Sequence, residues 1–219
     1  MLPALCHCGA SFTVAHALLC PTGGFPTVRH NELRDLCATL LTEVCPDVAV
    51  EPSLQPLTGE HLPTATATHA DGARLDIVAS GFWGGRFERT FFDVRVFNPN
   101  VFSNSTSQLP NVYHRHKRQK RNTYESSVRE VEHASFTPLV WSTSGGAGPT
   151  ASVFLMRLAS RLSEKREEPY SVVMGWLPCR FTFSLLRSSI MCIRGARSSI
   201  GRPVNLFASL ALAEDRFTT

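Results

Sequence analysis

Two strongly apolar segments, each with one aspartate near its centre, constrain the fold more than any other feature. Residues 73–80 (ARLDIVAS) and 89–98 (RTFFDVRVFN) are typical of strands, and the glycine-rich stretch between them suits a hairpin connection. Side chains alternate between the two faces of a strand, so Asp93 and Arg95 share one face and Phe92 and Val94 share the other. The pattern predicts an antiparallel strand pair that carries Asp76 and Asp93 on neighbouring strands.

Helical and extended patterns surround this pair of strands. In chain order, the other predicted elements are a helix from Thr27 to Pro46, a strand over 48–54, a helix from Pro110 to about Ala134, a strand over 135–143, a helix over 150–167, and a helix after Pro178. The core order is helix, three strands, helix, strand, helix, which predicts a mixed α/β fold around a central sheet.

The two aspartates are costly in such apolar strands unless they are hydrogen-bonded, paired or bound to a cation. Mg²⁺ or Mn²⁺ held between Asp76 and Asp93 would relieve their repulsion, activate water and stabilise the charge that develops on a phosphate. The alternative is an internal salt bridge in which Arg74 or Arg95 neutralises the two acids.

The long predicted helix carries a concentrated positive charge, with five Lys or Arg residues within 114–121. Its apolar stripe runs through Tyr113, Tyr124, Val128 and Val131, and two lysines fill the gap at helical spacing. These are Lys117 and Lys120. They are expected to meet a phosphate or the acidic pair, or alternatively to extend into solvent. The arginines Arg115, Arg118 and Arg121 remain free to bind the DNA backbone.

Cysteine and histidine residues near the N-terminus have metal-ligand spacing. Cys6, Cys8, His16 and Cys20 form C-x-C-x7-H-x3-C, and Zn²⁺ favours tetrahedral Cys₃His sets of this kind. His7 could replace one thiolate, and the alternative is that these are ordinary reduced cysteines. The sequence therefore predicts a small zinc module.

Bulk properties narrow the class of protein. The chain has no apolar run of the roughly 20 residues that a membrane-spanning helix needs and no secretory signal pattern. Its seven cysteines indicate a reducing compartment, so a nuclear or cytoplasmic location is expected. The net charge of +4 is too small to establish an anionic partner by itself.

The order of these motifs resembles the C-terminal region of site-specific non-LTR retrotransposon proteins, in which a zinc knuckle precedes a restriction-like endonuclease. The segments that carry the resemblance lie within about residues 6–143: CHCGASFTVAHALLC, RHNELRD, VEP, RLDI, FFDVRV and KRQKRNTYE. The resemblance implies a PD-(D/E)XK nuclease core, with a knuckle at 1–26, the nuclease at 27–168 and a helical extension with a tail at 169–219.

The resemblance also implies roles for individual residues. Asp76 matches the family's PD aspartate, with Leu75 where proline is usual, and Asp93 matches the acid of the (D/E)XK element. Arg95 occupies the place of the expected lysine, and Arg cannot transfer protons. The lysine role is therefore expected to move to Lys117 or Lys120, although the arginine is also consistent with a degenerate copy.

Two further assignments stay open. A third acid would be Glu32, Asp35 or Glu51, and the RHN motif with Arg29 and His30 would be structural or would contact DNA. The function implied is nicking of target DNA, next to a reverse transcriptase region in a longer parent protein. The alternatives are a zinc-dependent nucleic-acid-binding module without catalysis, and a protein-interaction domain that uses residues 170–193.

Overall fold

The computed structural model describes residues 4–54 and 74–195; the predicted loop over 55–72 and the C-terminal tail lie outside them. The elements in chain order are α1 Val14–Ala17, α2 Phe25–Val44, β1 Val48–Val50, β2 Ile77–Ser80, β3 Arg89–Phe97, α3 Phe102–Ser105, α4 Leu109–Glu130, β4 Ser135–Ser142, α5 Pro149–Arg166 and α6 Tyr170–Gly195.

The four strands form one sheet in the order β1-β2-β3-β4. The pairs β1/β2 and β2/β3 are antiparallel, and β3/β4 is parallel. Parallel neighbours need a crossover connection, and α4 supplies it between β3 and β4. The expected mixed α/β architecture is confirmed, as is the antiparallel pairing of the two aspartate-bearing segments.

Helices cover both faces of the sheet. On one face, Phe92 and Val94 of β3 and Trp141 of β4 join the main core with α2, α5 and α6. On the other face, α4 lies over the odd-numbered residues of β3. Phe91 packs there with Tyr124 and Val128 in one cluster, and Phe97 packs with Val112 and Tyr113 in a second. The period-2 alternation of β3 thus separates two layers of packing.

Several element boundaries differ from the prediction. Helix α2 begins at Phe25, because Gly24 adopts a left-handed φ of 69° and Pro26 is favourable in a first helical turn. The zinc module boundary expected at residue 26 therefore falls inside a helix. Strand β1 ends at Val50, since Glu51 has a positive φ of 52°.

Helix α6 starts at Tyr170 and contains Pro178, which was expected to begin the helix. Proline removes one helical hydrogen bond at a cost of about 3 kcal/mol, so packing must hold the helix on both sides of it. Val173, Leu177 and Phe181 are fully buried in the main core, and Phe181 stacks on Trp141 with ring centroids 4.9 Å apart. Helix α6, the described part of the segment expected to be an extension, therefore contributes to the core.

Within residues 4–54 and 74–195, no helix has both the length and the apolar character that crossing a membrane requires.

Candidate functional site

The register of the central hairpin brings the two aspartates together. Ile77 pairs with Phe92, so the next residues outward, Asp76 and Asp93, lie opposite each other across β2 and β3. Asp93 is 4% exposed and lies on the face covered by α4. Two neighbouring carboxylates in a partly buried place repel each other and are costly to ionise unless they have partners. The groups around Asp76 and Asp93 therefore decide what this pair can do.

Lys120 of α4 neutralises Asp93. Its Nζ atom lies 2.9 Å from Oδ2 in an ion pair and donates a hydrogen bond of 3.2 Å to Oδ1. Burial and the charge of Asp76 raise the pKa of Asp93, Lys120 lowers it, and the net result is a pKa of about 6. Asp93 therefore changes between its neutral and ionised forms near pH 6.

Asp76 has a different set of partners. Its Oδ1 lies 2.9 Å from Nε2 of His30 on α2, and its Oδ2 accepts a hydrogen bond from the backbone N–H of Val94. An ionised carboxylate only accepts hydrogen bonds, so the hydrogen of this contact is carried by His30 Nε2. The two acids are therefore held by different helices, Asp76 by α2 and Asp93 by α4.

The acids proposed to complete the site lie in different places. The backbone N–H of Glu51 donates to Asp76 O at 2.9 Å, and the Glu51 carboxylate pairs with Arg34 and, at 3.7 Å, with Arg74. Glu32 instead accepts hydrogen bonds from Arg187 and Ser188 of α6.

Asp35 pairs with the neighbouring Arg34 at 2.8 Å. Burial opposes the charge of Arg34, but Asp35, Glu51 and Asp76 together raise its pKa. Of the three predicted acids, Glu51 is the one whose backbone is hydrogen-bonded to Asp76.

The predicted salt bridge through Arg74 or Arg95 does not form. Arg74 pairs with Glu51, and Arg95 is exposed on β3. Instead, Lys120 pairs with Asp93 and His30 lies within hydrogen-bond distance of Asp76. Contact of Lys120 with the acidic pair was one of the alternatives expected for the long helix, whereas His30 was considered only as a structural or DNA-contacting residue.

The other basic residues of α4 differ in their partners. Lys117 lines a small pocket with Tyr113, Gly148 and Thr150, away from the acidic pair. Arg115 donates to the backbone of Ser103 and to the side chain of Asn104, which anchors the short helix α3.

Arg118 and Arg121 are exposed and line an open groove along α4, which Arg115 and Lys117 also border. Arg121 lies 3.7 Å from Glu125 one turn further along the helix. An exposed i, i+4 pair of this kind contributes only a few tenths of a kcal/mol, about 0.3–0.5, so both arginines remain able to bind phosphate.

His116 lies between Tyr113 and Lys120 on the sheet-facing side of α4, where the sequence interpretation placed Lys117. Its ring stacks on Phe97 with centroids 4.8 Å apart. Burial, together with the charges of Arg95 and Arg115, lowers its pKa to about 4, so the ring is neutral at pH 7. The spacing 113, 116, 120, 124 could have revealed it, because residues three and four apart share a helix face.

Arg29 was expected to be structural or to contact DNA, and the structure supports only the first role. The residue is 3% exposed, and its Nη1 donates to Leu18 O at 3.1 Å and to Cys192 Sγ at 3.6 Å. Burial lowers its pKa. The guanidinium joins the N-terminal module to α6 and has no accessible face for a phosphate.

The N-terminal cysteines and His16 converge on one point. The ligand atoms of Cys6, Cys8, His16 and Cys20 all lie within 4.8 Å of one another. Cys6 Sγ and Cys20 Sγ are 3.7 Å apart, close to the edge of about 3.8 Å for a tetrahedron with Zn–S bonds of about 2.3 Å. Cys8 Sγ lies 3.1 Å from His16 Nε2. This Cys₃His cluster has the donor set and spacing to bind zinc.

Local structure fixes the four ligands. A turn with Gly9 at a φ of 86° reverses the chain between Cys8 and Ser11, and Thr13 caps α1 by accepting from the N–H of His16. Burial opposes ionisation of Cys20, but hydrogen bonds from Thr22, Cys8 and Cys6 outweigh it and lower its pKa to about 7. A thiol that ionises easily is suited to metal binding.

In the part of the chain that the structure describes, this cluster is the one group of three or more Cys, His, Asp or Glu side chains close enough to share an ion. Asp76 and Asp93 alone would give a cation two protein ligands. Comparison with protein-family models and with curated proteins finds no match for this chain.

Proposed function

We propose that the protein is a divalent-metal-dependent DNA endonuclease with a PD-(D/E)XK core, derived from a retrotransposon protein and acting by nicking DNA. The observation that carries the proposal is the placement of Asp76 opposite Asp93 with Lys120 against Asp93. An acidic pair and a lysine at one end of a sheet provide the groups that metal-assisted phosphodiester hydrolysis uses.

The donor set fits Mg²⁺ or Mn²⁺. Mg²⁺ keeps several waters and is commonly bound by one or two carboxylates plus substrate phosphates, so two protein ligands are sufficient. Such an ion, when bound by Asp76 and Asp93, supplies an activated water and stabilises charge on the scissile phosphate.

Lys120 would do what Arg95 cannot. Its amine can hold a phosphate oxygen and can exchange a proton, whereas a guanidinium remains charged. Arg118 and Arg121 would hold the DNA backbone along the exposed side of the same helix, which would align the scissile phosphate with the acids. The zinc module would be attached to the nuclease core through Arg29, which contacts both the module and α6.

The test is nicking of supercoiled plasmid by the full chain in a series of Mg²⁺, Mn²⁺ and Ca²⁺ concentrations. Nicking is expected with Mg²⁺ or Mn²⁺, and Asp93→Asn should abolish it. Asp47→Asn is the matched control, because Asp47 is exposed and distant in sequence from the acidic pair. Intact plasmid after incubation with folded, zinc-loaded protein in every metal would contradict the proposal.

A second candidate function is zinc-dependent nucleic-acid binding without catalysis. It is favoured by the fact that Lys120 already pairs with Asp93 and that His30 lies 2.9 Å from Asp76, so both acids have partners without a metal. This candidate predicts that binding of labelled DNA survives Asp93→Asn and weakens in Cys20→Ser, with no cleavage in either protein. Measuring binding and cleavage on one substrate separates the two functions.

A further inference from the structure

We propose that His30 is a positioning residue of the acidic site, which orients the Asp76 carboxylate toward the ion that Asp76 shares with Asp93. The inference rests on the proposed function, since it concerns the same ion. It gives the RHN motif a task other than contact with DNA.

The hydrogen bonds of Asp76 carry the first part of this inference. One oxygen is fixed by the Val94 N–H and the other by His30 Nε2 at 2.9 Å. Each carboxylate oxygen has a second lone pair available for a cation. The two donors therefore set the plane of the carboxylate while leaving it able to bind an ion.

The backbone around His30 carries the second part. The preceding residue, Arg29, is buried and donates to Leu18 O in the zinc module and to Cys192 Sγ on α6. This clamps the first turns of α2 between two other elements, so the backbone that carries His30 is held in place next to Asp76. A ring on a backbone fixed in this way can orient Asp76 without the entropic cost of ordering that backbone.

Solvent exposure agrees with an orienting role. The His30 side chain is 32% exposed and the Asp76 side chain is 14% exposed, so the pair lies at the border of the acidic site. Outer partners of metal ligands fix ligand orientation, and their loss typically weakens metal binding or activity by about tenfold to a hundredfold. The same range is expected when the His30 ring is removed.

The first arm of the test measures the contact itself without the catalytic ion. Thermal unfolding of zinc-loaded protein in Mg²⁺-free buffer is compared for His30→Ala, Asp76→Ala and the double variant. His30→Ala should lower the melting temperature in the wild-type background and have little further effect in the Asp76→Ala background. Equal decreases in both backgrounds would overturn the inference.

The second arm measures Mn²⁺ affinity by calorimetric titration of zinc-loaded protein, with Asp93→Asn defining the loss of the site. His30→Ala should weaken Mn²⁺ binding by about tenfold to a hundredfold. His30→Gln, whose amide can donate to the same oxygen, should remain close to wild type. His114→Ala is the matched control, because His114 lies on the exposed side of α4.

The outcomes are distinguishable. If His30→Ala binds Mn²⁺ as tightly as the wild type and Asp93→Asn does not bind it, the positioning role is overturned and the nuclease proposal stands. Weakened DNA binding in His30→Ala with unchanged Mn²⁺ affinity also overturns it, in favour of a DNA contact. If the wild-type protein binds no Mn²⁺, or binds it equally well with Asp93→Asn, the nuclease proposal and the positioning role are overturned together.

Discussion

Replacing Asp93 with asparagine should stabilise the fold at pH 8, although it removes a residue of the proposed site. Asparagine has nearly the same shape as the protonated acid and carries no charge. The Asp93 side chain is 6% exposed, and burial raises its pKa from an ordinary value of 3.8 to about 6. The native state therefore binds a proton more tightly than the unfolded chain does.

The sign and size of the effect follow from this difference. Because the folded-state pKa is the higher one, the contribution of Asp93 to stability is complete below pH 3.8 and is lost as the pH rises through about 6. Each pH unit corresponds to about 1.4 kcal/mol, so ionised Asp93 costs about 3 kcal/mol at pH 8. The raised pKa already includes the opposing effect of Lys120.

The assay is urea unfolding at pH 4.0 and pH 8.0 in zinc-loaded protein without other divalent metals. Asp93→Asn should raise the free energy of unfolding by about 3 kcal/mol at pH 8 and change it little at pH 4, where wild-type Asp93 is already protonated. Asp47→Asn should change neither. A variant that is destabilised equally at both values would refute the account of Asp93 as a costly buried charge.

Three further predictions concern other parts of the molecule. Cys20→Ser or chelation of zinc should release hydrogen-exchange protection in the N-terminal module, because this segment has little core of its own; unchanged protection would contradict a structural metal. Arg118→Ala and Arg121→Ala should each reduce the slope of log affinity for DNA against log salt by about 0.9, measured by fluorescence anisotropy. Phe181→Ala should destabilise the fold by about 3–5 kcal/mol in urea unfolding, whereas Phe183→Ala, 71% exposed on the same helix, should be nearly neutral.

Features that depend on local periodicity could be predicted from the sequence. The alternation in β3 places Phe91, Asp93 and Phe97 on one face, and the glycine-rich connection joins β2 and β3 as an antiparallel pair. The spacing of Cys6, Cys8, His16 and Cys20 likewise anticipated a cluster that the structure brings together. Each of these patterns spans at most about 25 residues, a range over which chain geometry limits the alternatives.

The partners of the acids could not be predicted in the same way. His30 and Asp76 are 46 residues apart in sequence, and Lys120 and Asp93 are 27 apart. Helical spacing defines a face only to within about one residue, so it could not decide between Lys117 and Lys120.

The sequence by itself determined the strand pair, the acids on it and the metal-ligand spacing, because these follow from local backbone geometry. The tertiary structure alone decided which cation meets which acid, that Arg29 is buried, and that α6 continues through Pro178. These outcomes depend on how helices pack across the sheet, and packing energy gained between distant segments outweighs local preferences such as the helix-breaking effect of proline.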